Sequence, residues 1–368
     1  MTKDIQVKHN QYIDQIENYI PGSAKINSHQ VSRIIKLSSN ENALKSSEKA
    51  ILAYQQHFND IFRYADGSVT QLRQAIANKY KIDANKIMCG AGSDEIISLI
   101  ATGFASINDE IIYSEYGFLM YPIAAKRVGA KAVKAKESNY KTDINSIISS
   151  ISNKTKIIFI ANPNNPTGSY LNDAELNILI NNIPPHILLV LDCAYDEYVV
   201  ANDYPNAFDL VNKHSNVILS KTFSKAFGLA SLRIGWCYGH QQIIDVLNKI
   251  RGPFNVGGPA QFAAIAAIND DDFILKSKNH NQKWLSIFYK EIANFNRIKA
   301  YPSVANFILL DFLEIDNAKE ANRILLANGV ILREMNGYNL PSCMRMTIGT
   351  DEENEIILEL LREINSKI

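Results

Sequence analysis

The sequence predicts an α/β fold, in which a large domain with a mostly parallel sheet in an α/β/α sandwich is joined to a smaller α+β domain. Two observations predict it. Five short apolar runs, each about as long as a buried strand, end abruptly in polar, glycine-rich or acidic residues, and segments with helical spacing separate them. After residue 269 the pattern changes to a long amphipathic helix and shorter apolar segments. We therefore predict a large domain over 39–269 and a small domain formed by 1–38 and 270–368.

The predicted strands of the large domain are KIMCG (86–90), EIIYS (110–114), KIIFIA (156–161), HILLVLD (186–192) and NVILS (216–220). In open parallel sheets of α/β proteins, ligands bind beyond the carboxyl ends of the strands. Because polar segments follow each of these runs, side chains that are distant in sequence are expected to meet in one cleft.

The predicted small domain follows a helix of small residues over 259–268. Its elements are an amphipathic helix over 270–295, strands over 306–312, 329–334 and 343–349, a helical stretch near 317–328 and a C-terminal helix. Residues 1–38 are expected to pack with this unit.

Composition and charge exclude several classes of partner. The 38 basic and 38 acidic side chains give a formal net charge of zero. This balance provides no attraction for nucleic acid or an anionic membrane, so we expect a small-molecule partner. Residues 1–22 are too polar for a signal peptide, and no apolar run is long enough to span a membrane. The four cysteines form no CxxC pair and the seven histidines are scattered, which predicts a cytoplasmic protein without a metal site.

The segment GAGSDE (90–95) follows the first predicted strand and begins a helix. The free backbone N–H groups at Gly92, Ser93 and Asp94 can bind an anion such as a phosphate. A dinucleotide-binding fingerprint would need glycine at position 95, where Glu95 stands, and no GK[ST] completes a P-loop. Taken alone, this stretch is also compatible with an ordinary strand-to-helix turn.

Two further strand ends carry polar groups. NPNNPTG (162–168) contains two prolines, three asparagines and a glycine, which predicts a stiff turn on which Asn165 can hydrogen-bond a ligand. Asp192 ends an apolar run, where burial makes an unpaired carboxylate costly, so a cation or a donor is expected beside it. Tyr195 adds a phenol nearby. Taken singly, a plain turn and a helix-capping aspartate are the alternatives.

Lys225 lies in SKTFSKAFGLASLRIGW (220–236), among small and apolar neighbours. A partly apolar environment disfavours the ammonium form and can leave a nucleophilic amine, although most lysines are simply solvated. Arg233, eight residues later, has a planar guanidinium that suits a phosphate.

These groups together indicate one ligand. An aldehyde suits Lys225, a ring nitrogen suits Asp192, and a ring oxygen suits Asn165 and Tyr195. A phosphate suits Arg233 and the helix start at 92–94. Pyridoxal phosphate carries all four of these features.

The order and spacing of the motifs resemble the pyridoxal-phosphate aminotransferases of the aspartate aminotransferase-like fold, and most closely the histidinol-phosphate aminotransferase branch. The likeness covers nearly the whole chain, through YIPG (19–22), KLSSNEN (36–42), RYADG (63–67), GAGSDE, NPNNPTG, DCAY (192–195), SKTFSKAFGLASLRIGW and MRMTIGTDEEN (344–354). The sequence departs from the family pattern at ENALKSSEKA (41–50), which lacks two common prolines, and at Cys193 and Phe118.

The resemblance implies roles for the residues around the cofactor. Lys225 would bind the cofactor's aldehyde and move the proton at the substrate's α-carbon, and Asp192 would pair with the ring nitrogen. Asn165 and Tyr195 would contact the phenolic oxygen. The ring-stacking and phosphate-binding residues would be Phe118, Gly92, Ser93, Asp94, Thr222, Ser224 and Arg233.

The resemblance also implies a substrate site and an assembly. Arg345 would bind the substrate's anionic group, with help from Arg333, Tyr19 and Asn165. Tyr64 would reach the cofactor phosphate of a neighbouring subunit, which implies a homodimer with shared active sites.

The implied reaction converts L-histidinol phosphate and 2-oxoglutarate into imidazole acetol phosphate and L-glutamate, in histidine biosynthesis, with ping-pong kinetics. An aromatic-amino-acid aminotransferase and a decarboxylase of a phosphorylated amino acid are alternatives on the same scaffold. A non-catalytic cofactor-binding or regulatory module is an alternative from another class. Glu95 disfavours a nicotinamide dehydrogenase.

Overall fold

The computed structural model describes residues 7–17 and 33–368. The strands in this part of the chain are β1 (Ile35–Lys36), β2 (Ile87–Gly90), β3 (Glu110–Ser114), β4 (Lys131–Ala135), β5 (Glu137–Ser138), β6 (Lys141–Thr142), β7 (Thr155–Ala161), β8 (Leu188–Asp192), β9 (Val217–Thr222), β10 (Gly235–Tyr238), β11 (Lys299–Tyr301), β12 (Phe307–Asp311), β13 (Val330–Ile331), β14 (Arg333–Glu334) and β15 (Cys343–Thr347).

The α-helices of the same residues are α1 (Glu48–Gln56), α2 (Thr70–Tyr80), α3 (Ser93–Phe104), α4 (Met120–Arg127), α5 (Ile144–Ser149), α6 (Asp173–Asn182), α7 (Ala207–Lys213), α8 (Gln241–Ile250), α9 (Gly258–Ile268), α10 (Asp271–Ile292), α11 (Ile315–Ala327) and α12 (Asp351–Lys367). None of these described helices combines the length and the apolar character needed to cross a membrane.

The central sheet has seven strands in the order β2-β10-β9-β8-β7-β3-β4. Strand β10 runs antiparallel to both of its neighbours, and the remaining pairs are parallel. The predicted mostly parallel sheet is therefore confirmed, and the five apolar runs form β2, β3, β7, β8 and β9. Sequence analysis missed β4 because this edge strand exposes Lys131 and Lys134 and so has no continuous apolar run. It also missed β10, a strand of four residues that directly follows the turn at Arg233.

Alternate residues of the buried strands pack on opposite faces of the sheet. Ile158 and Ile160 lie in the core formed with α2, α6 and α9, whereas Ile157 and Phe159 lie in the core formed with α3, α4 and α8. Because both faces are covered, the strands are apolar throughout rather than at every second position. The two helical layers complete the predicted α/β/α sandwich.

A second sheet has four antiparallel strands in the order β11-β12-β15-β14. It shares a separate core with α10, α11 and α12, in which Trp284, Phe288 and Leu361 are buried. The segment 329–334, predicted as one strand, forms two, because β13 pairs in parallel with β1 while β14 pairs with β15.

The N-terminal segment contacts both parts of the fold. Strand β1 joins residues 35–36 to the core of the second sheet. The 3₁₀ helix Gln11–Gln15 instead lies against α4, where Lys126 Nζ donates to the Gln15 carbonyl at 2.8 Å. The domain bounds 39–269, and 1–38 with 270–368, stay a prediction.

Candidate active site

A cavity of about 260 Å³ lies at the carboxyl ends of β7, β8 and β9. The strand register sets Ala161 beside Asp192, and Asp192 beside Ser220, so the segments that follow these strands are neighbours. The structure thus brings sequence-distant side chains together. The residues named by sequence analysis that line the cavity are Ser93, Asp94, Phe118, Asn165, Asp192, Tyr195, Thr222, Ser224, Lys225, Arg233, Arg333 and Arg345.

Lys225 lies just beyond the carboxyl end of β9. Its Nζ donates a hydrogen bond to the Ser39 carbonyl at 3.0 Å and lies 5.8 Å from the centre of the Tyr195 ring. Burial, and then the positive charge of Arg345, lower the pKa of this amine to about 8. Roughly a quarter of the amine is therefore neutral at pH 7.5, which makes it available as a nucleophile or a base.

Asp192 is 4% exposed at the end of β8. Its Oδ2 accepts a hydrogen bond from the Tyr121 hydroxyl at 2.9 Å, while its buried Oδ1 has no hydrogen-bond partner in the described chain. Burial raises the pKa of Asp192 to about 7, although the Tyr121 hydrogen bond acts to lower it. An N–H group of a ligand would supply the missing partner and favour the carboxylate.

Tyr121 was not identified from the sequence. It is fully buried in α4, with its ring stacked on Phe159 at 4.8 Å and edge-on to Phe118 at 5.9 Å. Phe118 precedes α4, and the turn closed by the Tyr121 amide and the Phe118 carbonyl at 3.0 Å brings the two rings together. Tyr121 links the predicted stacking residue to the predicted acid.

Tyr195 and Asn165 lie on two sides of the same cavity. The Tyr195 hydroxyl accepts a hydrogen bond from Asn40 Nδ2 at 3.0 Å. The Asn165 Oδ1 accepts one from Arg345 Nη1, and Arg345 Nη2 donates to the Ser38 carbonyl at 2.9 Å. Sequence analysis also missed Ser38, Ser39 and Asn40 as parts of the site, although they lie in the KLSSNEN motif.

The anion-binding end of the cavity is formed by the start of α3 and by Arg233. Gly92 precedes α3 with φ +85°, and a Cβ atom there would lie 2.4 Å from Arg233 Nη2. Arg233 Nη1 donates to Ser224 Oγ at 3.2 Å, and the Ser224 amide donates to Thr222 Oγ1 at 3.1 Å. Arg233 Nη2 also lies 3.4 Å from the Asp94 carboxylate at the start of α3. The hydroxyls, the guanidinium and the helix start are therefore neighbours, a combination that suits a phosphate.

Two arginines enter the cavity from the second sheet. Arg333 on β14 and Arg345 on β15 are register partners, so their side chains lie on the same face. The Arg345 guanidinium is 7% exposed and lies 5.3 Å from the centre of the Phe307 ring. Both arginines line the cavity, and the charge of Arg345 lowers the pKa of Lys225.

Of the predicted residues that the structure describes, Gly92 and Tyr64 are not part of the lining of this cavity. Tyr64 is 85% exposed, stacks on Phe254 at 4.6 Å and lines a separate cavity beside α9. Its predicted contact with a neighbouring subunit stays a prediction. Tyr19 lies outside the described residues. Among those residues, no group of three or more His, Cys, Asp or Glu side chains could hold a metal ion.

The geometry fits the four features of pyridoxal phosphate. The lone Asp192 oxygen suits the ring nitrogen, the Lys225 amine suits the aldehyde, Phe118 can cover a ring, and Arg233 with the helix start suits the phosphate.

Comparison with known proteins decides the family. The model of the family described as aminotransferase class I and II matches residues 32–361. The chain belongs to this family. It is an aminotransferase, and its cofactor is pyridoxal 5′-phosphate.

The aminotransferase is 43% identical over 350 residues to a histidinol-phosphate aminotransferase of Rhodopseudomonas palustris (strain TIE-1), with 95% of each chain covered. Its fold is similar to that of a histidinol-phosphate aminotransferase from Sinorhizobium meliloti, solved in complex with pyridoxal-5′-phosphate. The TM-score is 0.89 at 23% identity, over 100% of this chain and 99% of that chain. An L-threonine-O-3-phosphate decarboxylase from Porphyromonas gingivalis has the same fold, with a TM-score of 0.79 at 20% identity, over 91% and 100% of the chains.

Proposed function

We propose that the enzyme transfers the amino group of L-histidinol phosphate to 2-oxoglutarate, giving imidazole acetol phosphate and L-glutamate in histidine biosynthesis. The similarity to a histidinol-phosphate aminotransferase over 95% of the chain supports the substrate. The observation that carries the reaction type is that one cavity is lined by both Lys225, an amine with a lowered pKa, and Asp192, a buried carboxyl group with one oxygen lacking a partner.

Bound pyridoxal phosphate supplies a ring that withdraws electrons from the substrate's α-carbon. Asp192 would hold a proton on the ring nitrogen, because an ionised carboxylate buried at this depth needs a donor. Tyr121 keeps the other oxygen of Asp192 satisfied and so orients the carboxylate. Asn165 and Tyr195, which line the same cavity, would contact the ring oxygen.

Lys225 would hold the cofactor through its aldehyde, and its free amine would take the proton from the substrate's α-carbon. A pKa of about 8 lets this amine accept and return a proton near neutral pH. The Ser39 carbonyl, which accepts from Nζ at 3.0 Å, orients the amine towards the cavity.

Arg345 and Arg333 bind the anionic end of both substrates. The two guanidiniums lie on one face of the second sheet and can accept the phosphate of histidinol phosphate in one half-reaction and a carboxylate of 2-oxoglutarate in the other. A guanidinium serves both because each anion offers paired oxygens at similar spacing.

The active unit is a homodimer. An exposed apolar patch, which supports this, is formed by Leu52, Phe58, Ile61, Phe62, Tyr64 and Phe254. Phe62 is 74% exposed and Ile61 is 69% exposed, and exposed apolar side chains grouped closely along the chain favour a protein interface. Tyr64 belongs to this group, and the family resemblance implies that its phenol reaches the cofactor phosphate of the second copy.

The proposal is tested by incubating the purified enzyme with 2-oxoglutarate and each of histidinol phosphate, phenylalanine, tyrosine, aspartate and threonine phosphate, while glutamate and carbon dioxide are measured. Glutamate formed preferentially with histidinol phosphate is expected. A strong preference for phenylalanine or tyrosine would overturn the substrate assignment, and carbon dioxide without glutamate would indicate a decarboxylase. Hydride reduction followed by peptide mapping should label Lys225, and Lys225→Ala should abolish the label.

A further inference from the structure

One buried carboxyl group behind the cofactor cavity contacts two of the loops that line it. Glu137 lies at the start of β5, and its Oε1 accepts a hydrogen bond from Ser114 Oγ at 2.6 Å and from the Tyr116 amide at 3.2 Å. The side-chain nitrogen Nδ2 of Asn164 donates to the same oxygen at 3.4 Å. Glu137 therefore joins the end of β3 to the loop after β7.

Both loops lead directly to the cavity. Tyr116 is two residues from Phe118, and Asn164 immediately precedes Asn165. The backbone of Asn164 is itself held by its loop. Its backbone amide donates to the Ser169 carbonyl at 2.7 Å, and its backbone carbonyl accepts from the Gly168 amide at 2.8 Å. A displacement of the Glu137 carboxyl group would thus be transmitted to Phe118 and Asn165 together.

Among the described residues, no donor stabilises a negative charge on the second oxygen of Glu137. Oε2 is buried without a hydrogen-bond partner in the described chain. The titratable groups that face Glu137 are Glu115, whose carboxylate accepts from the Glu137 amide at 3.2 Å, and Tyr116. From the loop after β7, only the neutral Asn164 side chain is within hydrogen-bond distance of Glu137 among the described residues. From β6, the neutral Thr142 hydroxyl donates to Ser114 Oγ, which in turn donates to Glu137. Burial, with a further contribution from Glu115, raises the pKa of Glu137 to about 7.

We propose that Glu137 is a positioning residue, which holds Phe118 and Asn165 in place for the cofactor through the hydrogen bonds that its Oε1 accepts from Ser114, Tyr116 and Asn164. The carboxyl group fills this role in its neutral form. The inference rests on the proposed roles of those two residues. Ionisation of Glu137 would leave a buried charge beside Glu115 without a cation, and would loosen the junction between the two loops.

Two variants separate the proton from the hydrogen bonds. Glu137→Gln stays neutral at every pH and keeps an acceptor oxygen, whereas Glu137→Leu removes the acceptor. The dissociation constant of pyridoxal phosphate is measured for the full-length enzymes by equilibrium dialysis at pH 6 and pH 8.5. We expect Glu137→Gln to bind like the wild type at pH 6 and about tenfold more tightly than it at pH 8.5, and Glu137→Leu to bind weakly at both.

Glu110→Gln is the matched control, because Glu110 is a buried carboxylate at the opposite end of β3, paired with Lys131 and Ser152. The ratio of its dissociation constant for pyridoxal phosphate to that of the wild type should be the same at both pH values. If the cofactor affinity of Glu137→Gln and that of the wild type depended on pH in the same way, Glu137 would not act in its neutral form. If Glu137→Leu bound the cofactor as tightly as the wild type, the positioning role would be refuted, whatever the stability of that variant.

Thermal unfolding tests independently whether Glu137 is neutral in the folded protein. Because the folded-state pKa of Glu137 is raised above its ordinary value of 4.5, its contribution to stability is complete below pH 4.5 and is lost as the pH rises towards 7. The melting temperature of Glu137→Gln relative to the wild type should therefore rise between pH 5 and pH 8. An unchanged difference would contradict the proposal.

A double-mutant cycle with Asn165→Ala tests how Glu137 acts. If the carboxyl group acts through Asn165, the loss of cofactor affinity caused by Glu137→Leu should shrink at least threefold in the Asn165→Ala background. Full additivity would refute that route. These measurements do not involve the amino substrate, so they stand or fail separately from the assignment of histidinol phosphate, which the glutamate assay tests.

Discussion

Two lysines four positions apart, the partly buried Lys225 and the buried Lys221, are expected to respond in opposite ways to the same substitution. Lys225 has a lowered pKa and one hydrogen bond, to the Ser39 carbonyl. Lys221 is 1% exposed and forms ion pairs with Asp196 and Glu197, which raise its pKa well above the ordinary value although burial acts to lower it. We therefore predict that Lys225→Met stabilises the cofactor-free protein and that Lys221→Met destabilises it.

The magnitude for Lys225 follows from linkage. A pKa lowered from 10.5 to about 8 corresponds to a penalty of about 3 kcal/mol at pH 7, because the unfolded chain keeps the proton more easily than the folded one. Loss of the hydrogen bond to Ser39 offsets about 1 kcal/mol. Lys225→Met should thus raise the free energy of unfolding by about 2 kcal/mol at pH 7. The destabilisation caused by Lys225 in the wild type is complete below pH 8 and fades towards pH 10.5. The stability gained by Lys225→Met should therefore vanish near pH 10.

The assay is urea-induced unfolding of the cofactor-free protein, followed by tryptophan fluorescence at several pH values between 7 and 10. Lys221→Met is the matched control: removing one partner of a buried ion pair costs about 3–5 kcal/mol, so this variant should be less stable than the wild type throughout the same pH range. Destabilisation by Lys225→Met at pH 7, or a gain that is the same at pH 7 and pH 10, would refute the reasoning.

Three further predictions concern the site and the interface. Tyr121→Phe removes the donor to Asp192, so pyridoxal phosphate should bind about tenfold more weakly in a fluorescence titration, and unchanged binding would show that the hydrogen bond is not used. Arg345→Ala should lose affinity for both substrates while the absorption spectrum of the bound cofactor persists, and a selective loss for one substrate would contradict a shared anion site. Phe62→Asp should shift the protein from dimer to monomer in light scattering, and a dimer that persists would place the interface elsewhere.

Part of the fold and of the site could be predicted from the sequence alone. The buried strands were predictable because a strand covered on both faces is apolar throughout, and this pattern is local. Lys225, Asp192 and Asn165 were predictable as neighbours because polar residues follow parallel strands, whose carboxyl ends lie at one edge of the sheet. The family followed from the order of the motifs.

The tertiary structure decided the contacts that set the chemistry. The hydrogen bond from Tyr121 to Asp192 joins residues 71 positions apart, and that from Lys225 to Ser39 joins residues 186 positions apart, so no local pattern encodes them. The lowered pKa of Lys225 and the raised pKa of Asp192 have the same origin, because each depends on burial by segments distant in sequence. Composition and periodicity specify which residues are apolar and where elements lie, whereas the loss of water around a charged group depends on the packing of the whole chain.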